Sequence, residues 1–197
     1  MGKICYIMGK SSSGKDTIFK KLRERMPDLK KITPYTTRPA REGEINGIEY
    51  YFVDEQCLEE MEHKGIVIEV RAYNTKYGVW KYFTADDGQI DLSRHNYIVI
   101  GTLKSYAAMC RYFAQDRLIP VYIEVEDGLR LKRALQREQR QNEPKYSEMC
   151  RRFLADQADF SDKNLDEAGI KRRFKNYIME ECLEDVCIYL KEQLTEA

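Results

Sequence analysis

Gly9-Lys10-Ser11-Ser12-Ser13-Gly14-Lys15-Asp16-Thr17 stands between the apolar run Ile4-Cys5-Tyr6-Ile7-Met8 and the segment Thr17-Ile18-Phe19-Lys20-Lys21-Leu22, whose apolar residues recur at helical spacing. The run reads as a buried strand and the segment as a helix, so the glycine-rich stretch is a turn from strand to helix. That context is what a phosphate-binding loop requires. Two glycines let the backbone curl tightly, and several N–H groups then converge with the positive end of the helix on one anion. Lys15 is placed to lie along the β- and γ-phosphates of a nucleotide, with Gly9, Lys10, Ser11, Ser12, Ser13, Gly14, Asp16 and Thr17 completing the ATP-binding loop. The residue after such a lysine is ordinarily Ser or Thr, whose hydroxyl holds Mg²⁺, but here it is Asp16. A carboxylate can serve the metal directly or through water while adding negative charge beside the phosphates, and Thr17 is a substitute ligand one residue out of phase.

The chain has 197 residues, enough for one compact domain with inserted lobes and a sizeable core. Lysine plus arginine and aspartate plus glutamate number 33 each, so no excess charge points to nucleic acid or to an acidic membrane. The six cysteines (5, 57, 110, 150, 182 and 187) show neither a C-x-x-C pair nor metal-ligand spacing. They read as buried free thiols, which suits a reducing cytosol. No stretch has the length of a signal-peptide core or of a membrane span, so a cytoplasmic chain is expected.

The first helix is expected from about Asp16 to Met26, stopped by Pro27. The stretch from Ile32 to Gly47 is rich in turn formers and contains Arg38 and Arg41 three residues apart, preceded by Thr36 and Thr37. Forked guanidinium donors at that spacing can grip a phosphate, and a solvated loop is the competing reading. Asp54 to Lys64 reads as a helix capped by Asp54 and followed by Gly65, then Ile66 to Val70 as a strand. Farther on, Tyr97 to Gly101 and Pro120 to Val125 read as parallel strands joined by a helix from about Leu103 to Ala114. Leu129 to Gln141 is a basic helix, Asn142 to Lys145 interrupts it, and a second helix carries Arg151 and Arg152. Asn176 to Met179 reads as a last strand before a closing helix to about Leu194. His63 and His95 fall at expected surface positions without a catalytic part.

The phosphate loop followed by Thr36-Thr37-Arg38-Pro39-Ala40-Arg41-Glu42-Gly43-Glu44, then Asn46-Gly47 and Tyr50-x-Phe52-Val53, resembles the guanylate kinase family. The resemblance implies a P-loop NTPase three-layer α/β sandwich with a parallel five-stranded core sheet. It implies a core of residues 1–33, 84–137 and 158–197, a small mixed-sheet monophosphate-binding lobe at 34–83, and a helical lid at 138–157. The implied acceptor grip is Arg38, Arg41 and Tyr50, with Tyr77 of the Tyr77-Gly78 pair also on the phosphate. Glu69 matches a carboxylate that receives guanine N–H donors. Arg137 and Arg152 match lid arginines that close over the transferring phosphates, which makes Lys15, Arg38, Arg137 and Arg152 the expected catalytic set. The implied substrates are ATP and GMP or dGMP, with Mg²⁺ held by Asp16 and Thr17, and no nucleic acid or membrane as partner.

Departures from the family fall on base recognition. The family has serine where this chain has Pro34 or Tyr35, a second serine near Val79, and an aspartate-rich strand end where this chain reads Ile100-Gly101-Thr102-Leu103-Lys104-Ser105. Ribose 1,5-bisphosphate phosphokinases resemble the chain at Gly14-Lys15-Asp16 and at Ile100-Gly101-Thr102, and their acceptor has no base. A guanylate-kinase-like binding module without catalysis is the alternative of another class, since it could keep Arg38, Arg41 and Tyr50 to hold a phosphorylated partner.

Overall fold

The computed structural model describes residues 1–75 and 78–195. Ile4–Met8 forms β1, Lys15–Arg25 helix α1, and the short Lys30–Lys31, Tyr35–Thr36 and Tyr51–Phe52 form β2, β3 and β4. Helix α2 (Glu55–His63) precedes strands β5 (Val67–Thr75), β6 (Gly78–Ala85) and β7 (Tyr97–Ile100). Then come α3 (Leu103–Phe113), β8 (Leu118–Glu124), α4 (Asp127–Gln139), α5 (Tyr146–Asp159), α6 (Asp162–Glu167), β9 (Arg173–Lys175) and α7 (Met179–Thr195).

Five strands make one parallel sheet in the order β2-β7-β1-β8-β9. Alternation along β1 explains its layers, because successive side chains leave a strand on opposite faces. Cys5 and Ile7 pack with Ile18 and Leu22 of α1 and with Leu183, Val186 and Leu190 of α7. Ile4, Tyr6 and Met8 pack the other way, against Leu103, Tyr106 and Met109 of α3 and Leu165 of α6. A strand buried on both faces has to be apolar throughout, which is why Ile4–Met8 is a continuous run. The helices after β1 and after β7 lie on opposite faces, so a crevice opens at the carboxyl ends of these neighbouring strands, where open α/β sheets bind ligands.

The second sheet, β4-β3-β6-β5, is mixed: β3 pairs parallel with β4 and antiparallel with β6. It lies between β2 and β7 in the chain and has a core of its own, with Tyr35, Leu58, Met61, Phe83 and Ala85 buried together. Asp54 caps α2 by accepting from the Cys57 backbone N–H at 2.8 Å, as its residue type suggests.

Two expectations need correcting. Asn176 to Met179 is not the last strand, because β9 occupies Arg173–Lys175 and Met179 already opens α7. Lys175 is the last residue in register with β8; the Asn176 N–H still donates to the Glu124 carbonyl at 2.9 Å, while its side chain turns toward the phosphate loop. The cysteines are all free, but not all buried: Cys150 is exposed on α5. Among the described residues no helix is long and apolar enough to cross a membrane.

Candidate functional site

The loop between β1 and α1 is shaped by its glycines. Gly14 adopts φ 84°, and a side chain on it would meet the Asn176 amide nitrogen at 2.4 Å. A side chain on Gly9 would meet the Ile123 carbonyl oxygen at 2.5 Å. The loop is thus clamped between β8 and the tail, with Asn176 Nδ2 donating to the Ser13 carbonyl at 2.7 Å. Ser12 takes the left-handed φ of 63° without being glycine, a strained backbone of the kind that gathers at ligand sites. The Ser12 and Ser13 hydroxyl oxygens are buried without a hydrogen-bond partner among the described residues. Buried hydroxyls ordinarily find partners, and nucleotide phosphate oxygens fit that need.

Lys15 lies at the start of α1 with its Nζ 3.7 Å from the Asp16 carboxylate, which is 84% exposed. Among the described residues no cluster of three metal-ligating side chains exists. Mg²⁺ dehydrates reluctantly and is held in kinase sites by one or two carboxylates plus substrate phosphates and water, so an exposed Asp16 beside the loop fits it.

Behind the loop lies a network centred on Arg130 of α4, which is 1% exposed. Arg130 donates to the Ser11 carbonyl at 3.1 Å, to Asp127 at 2.5 Å and to Asp156 at 3.4 Å, and stacks on Phe153 at 4.7 Å. Asp156 of α5 accepts from the Ser11 backbone N–H at 2.7 Å, and Gln157 accepts from Lys10 while donating to Asp127. A buried guanidinium needs partners of this kind, and here they join α4 and α5 to the phosphate loop. The basic composition of Leu129–Gln141 does not distinguish Arg130 from its neighbours. Asp127 three residues ahead on one helix face was the available signal.

Arg137 and Arg152 line one cavity with Ser11, Ser12 and Phe153, so the structure brings these two arginines of α4 and α5 to the phosphate loop. Arg152 donates to Glu148 at 2.9 Å. Hydrogen bonds from Arg151 first, and from Arg152, hold the Glu148 carboxyl down at about 2. Arg137 makes no ion pair among the described residues.

On the lobe, Arg38 is 3% exposed and almost fully used. It donates to Glu44 through Nη1 at 2.8 Å and Nη2 at 2.9 Å, to the Pro39 carbonyl at 2.7 Å and to the Tyr82 hydroxyl at 3.1 Å. Its guanidinium also stacks on Tyr50 and Phe52, 5.7 and 5.4 Å from their ring centres. Arg41, by contrast, is exposed and is tied among the described residues only through its backbone, its N–H donating to the Glu44 carboxylate at 2.7 Å and its carbonyl accepting from the Glu44 N–H at 3.1 Å. Burial pushes the Tyr50 hydroxyl above its ordinary pKa, keeping it a neutral donor, and it lies within electrostatic reach of Arg71, Arg38 and Asp16. Tyr77 lies outside the described residues.

Glu69 is nearly buried and already engaged: it accepts from Arg71 Nε at 2.9 Å, from Arg71 Nη2 at 3.3 Å and from Thr84 at 2.9 Å. Sequence reasoning missed Arg71, although residues two apart on a strand share a face. The departures fall as follows. Tyr35 is buried and stacked on Phe83 with its hydroxyl donating to Asp87, Val79 is exposed, and Gly101 abuts the Tyr6 hydroxyl.

A glycine-rich loop after β1 that offers unpartnered hydroxyls and a lysine, with arginines facing it from α4 and α5, defines a P-loop nucleotide-binding α/β protein. Residues 1–85 match the family model for guanylate kinase. The chain is 38% identical over 76 residues to guanylate kinase of Nostoc sp., covering 39% of this chain and 38% of that protein. It is 38% identical over 81 residues to guanylate kinase of Carboxydothermus hydrogenoformans, covering 41% and 40%. The aligned part thus spans about two fifths of the length of these curated relatives. In fold the likeness runs through nearly the whole chain: a crystal structure of guanylate kinase from Anaplasma phagocytophilum superposes with a TM-score of 0.64, covering 98% of this chain and 86% of that one at 19% identity. The resemblance to guanylate kinases therefore rests on sequence for the first 85 residues and on fold for the rest.

Proposed function

We propose that this chain transfers the γ-phosphate of ATP to the phosphate of GMP or dGMP, giving ADP and GDP or dGDP. The observation that carries this reading is the position of Tyr50, a lobe residue whose ring lies 5.7 Å from the Arg38 guanidinium and whose hydroxyl is held above its ordinary pKa by burial first, with the phosphate-loop Asp16 among the charges that act on it. An acceptor phosphate held there faces the donor loop, as in-line transfer requires. One P–O bond to the departing ADP breaks, and one forms to an acceptor phosphate oxygen that is already anionic. No strong general base is needed, only two phosphates held in line against their repulsion.

Lys15 and the loop N–H groups bind the donor, Arg41 and Tyr50 the acceptor, and Arg137 with Arg152 the charge on the group in flight. Arg38 has one N–H left and acts chiefly by shaping this corner of the lobe. Mg²⁺, when bound, would neutralise donor charge, with Asp16 and Thr17 as its protein ligands. Closure of α4 and α5 over the loop excludes water and suppresses hydrolysis of ATP. Six free thiols fit a reducing cytosol as the working compartment.

The reading is tested by ADP formation from ATP and Mg²⁺ with GMP, dGMP, AMP, UMP and ribose 1,5-bisphosphate offered separately. Stimulation by GMP or dGMP is the expected result. Stimulation by the sugar bisphosphate alone would overturn it, and silence with every acceptor would favour a binding module.

A further inference from the structure

The walls opposite the acceptor phosphate are not those of a pocket that pairs with guanine through carboxylates. Guanine offers N1–H and the N2 amino group as donors on one edge, and O6 and N7 as acceptors on another. A carboxylate has about four acceptor positions. Three of those of Glu69 are filled, by Arg71 Nε, Arg71 Nη2 and Thr84. The strand end after β7 supplies no carboxylate either, because a side chain begun at Gly101 would lie 2.0 Å from the Tyr6 hydroxyl and 2.9 Å from Ser105 Oγ. Tyr6 is buried, its hydroxyl bonded to Ser105, and the titratable groups that face it are Arg71, Glu69 and Cys110.

Arg71 is what the cleft offers instead. Its side chain is 18% exposed, and it stands opposite Tyr82 in the β5–β6 register, on the sheet face where the Tyr82 hydroxyl accepts from Arg38 and the Tyr82 ring meets Tyr50 edge-on at 5.6 Å. Glu69 binds it along the Nε–Nη2 edge, which fixes the plane of the guanidinium. Both N–H groups of Nη1 and the second of Nη2 have no partner among the described residues. Their end edge is a two-donor fork, the geometry that arginine uses to bind O6 and N7 of guanine in a bidentate manner.

We propose that the acceptor site is a 6-oxopurine site in which Arg71, oriented by Glu69, binds O6 and N7 while the 2-amino group goes unread. The proposal rests on the reading above that the acceptor is a purine nucleoside monophosphate. A site of this kind takes inosine monophosphate nearly as well as GMP. It rejects AMP, whose N6 amino group would put donors against donors.

The test is steady-state kinetics of the whole chain with GMP, IMP, AMP and 7-deaza-GMP, which lacks the N7 acceptor. The expected kcat/KM for IMP is within about threefold of that for GMP, with 7-deaza-GMP lower by about 10-fold and AMP by about 100-fold. In a folded Arg71→Lys variant, which keeps the charge and loses the fork, GMP should fall by about 10-fold or more and the 7-deaza penalty should vanish. IMP more than about 100-fold below GMP, or 7-deaza-GMP equal to GMP in the unaltered protein, would overturn the Arg71 assignment while leaving guanylate transfer intact. Activity with no purine monophosphate at all would overturn both readings together.

Discussion

Arg38 and Arg41 are three residues apart and belong to one sequence pattern, yet their surroundings separate them. Arg38 is buried with its carboxylate partner Glu44, so Arg38→Ala should lower stability by about 3–5 kcal/mol as well as activity. Arg41→Ala should remove most turnover and leave the denaturation midpoint within about 0.5 kcal/mol of the parent, because Arg41 touches little else. Urea unfolding measured beside kcat/KM distinguishes the two, and a stable, active Arg41→Ala protein would remove that residue from the acceptor grip. Gly101→Ala should cost about 1–3 kcal/mol, because the added carbon has to displace the buried Tyr6 hydroxyl. Calorimetry showing an unchanged Tm would mean that Tyr6 gives way freely. At this scale the phosphate loop was legible, since two glycines, a lysine and their flanking periods encode backbone curvature directly. Arg71 and Tyr6 were not, because their meaning depends on which residues of distant strands stand opposite them.

Helix α5 illustrates how an element can both hold a site together, through Asp156 and Phe153, and present an arginine to it, through Arg152. Glu148 sits in its first turn and draws hydrogen bonds from Arg151 and Arg152, which keep its carboxyl ionised far below the ordinary 4.5. Lowering the folded-state pKa means that the support Glu148 gives is fully present above about 4.5 and is lost as the pH falls through about 2. Carboxyl NMR should therefore show no midpoint for Glu148 near 4.5, whereas an ordinary midpoint there would mean that the arginines swing free. The arginines of α4 and α5 were visible in sequence as basic helices, and the family resemblance singled out Arg137 and Arg152. Their convergence on Ser11 and Ser12 needed the fold, which folds two helices back over a loop more than a hundred residues earlier. Short strands β2, β3 and β4, with two residues each, carry too little periodicity to be read at all.

For the molecule as a whole, binding should report on assembly of the two halves of the cleft. A ligand that binds only the folded state stabilises it by mass action, about 2.7 kcal/mol at a concentration 100 times its Kd. ATP with Mg²⁺ should raise Tm in the parent and far less in Lys15→Ala, while GMP should raise both alike. An equal ATP shift in the two proteins would take Lys15 out of the donor site. The central strands β1, β7 and β8 were legible as apolar runs, because a strand covered on both faces has to be apolar, whereas the edge strands β2 (Lys30–Lys31) and β9 (Arg173–Lys175) were not, and the inserted second sheet came from the family pattern. The tether between Asn176 and Ser13 was not legible either, and it carries a temporal consequence. The two residues stand 163 positions apart, and the Asn176 amide grips the turn that gathers phosphates. During synthesis on a ribosome, the loop emerges 163 residues before the amide that clamps it and stays untethered until Asn176 has left the exit tunnel. The final shape of the glycine-rich loop is thereby among the last features that the growing chain acquires.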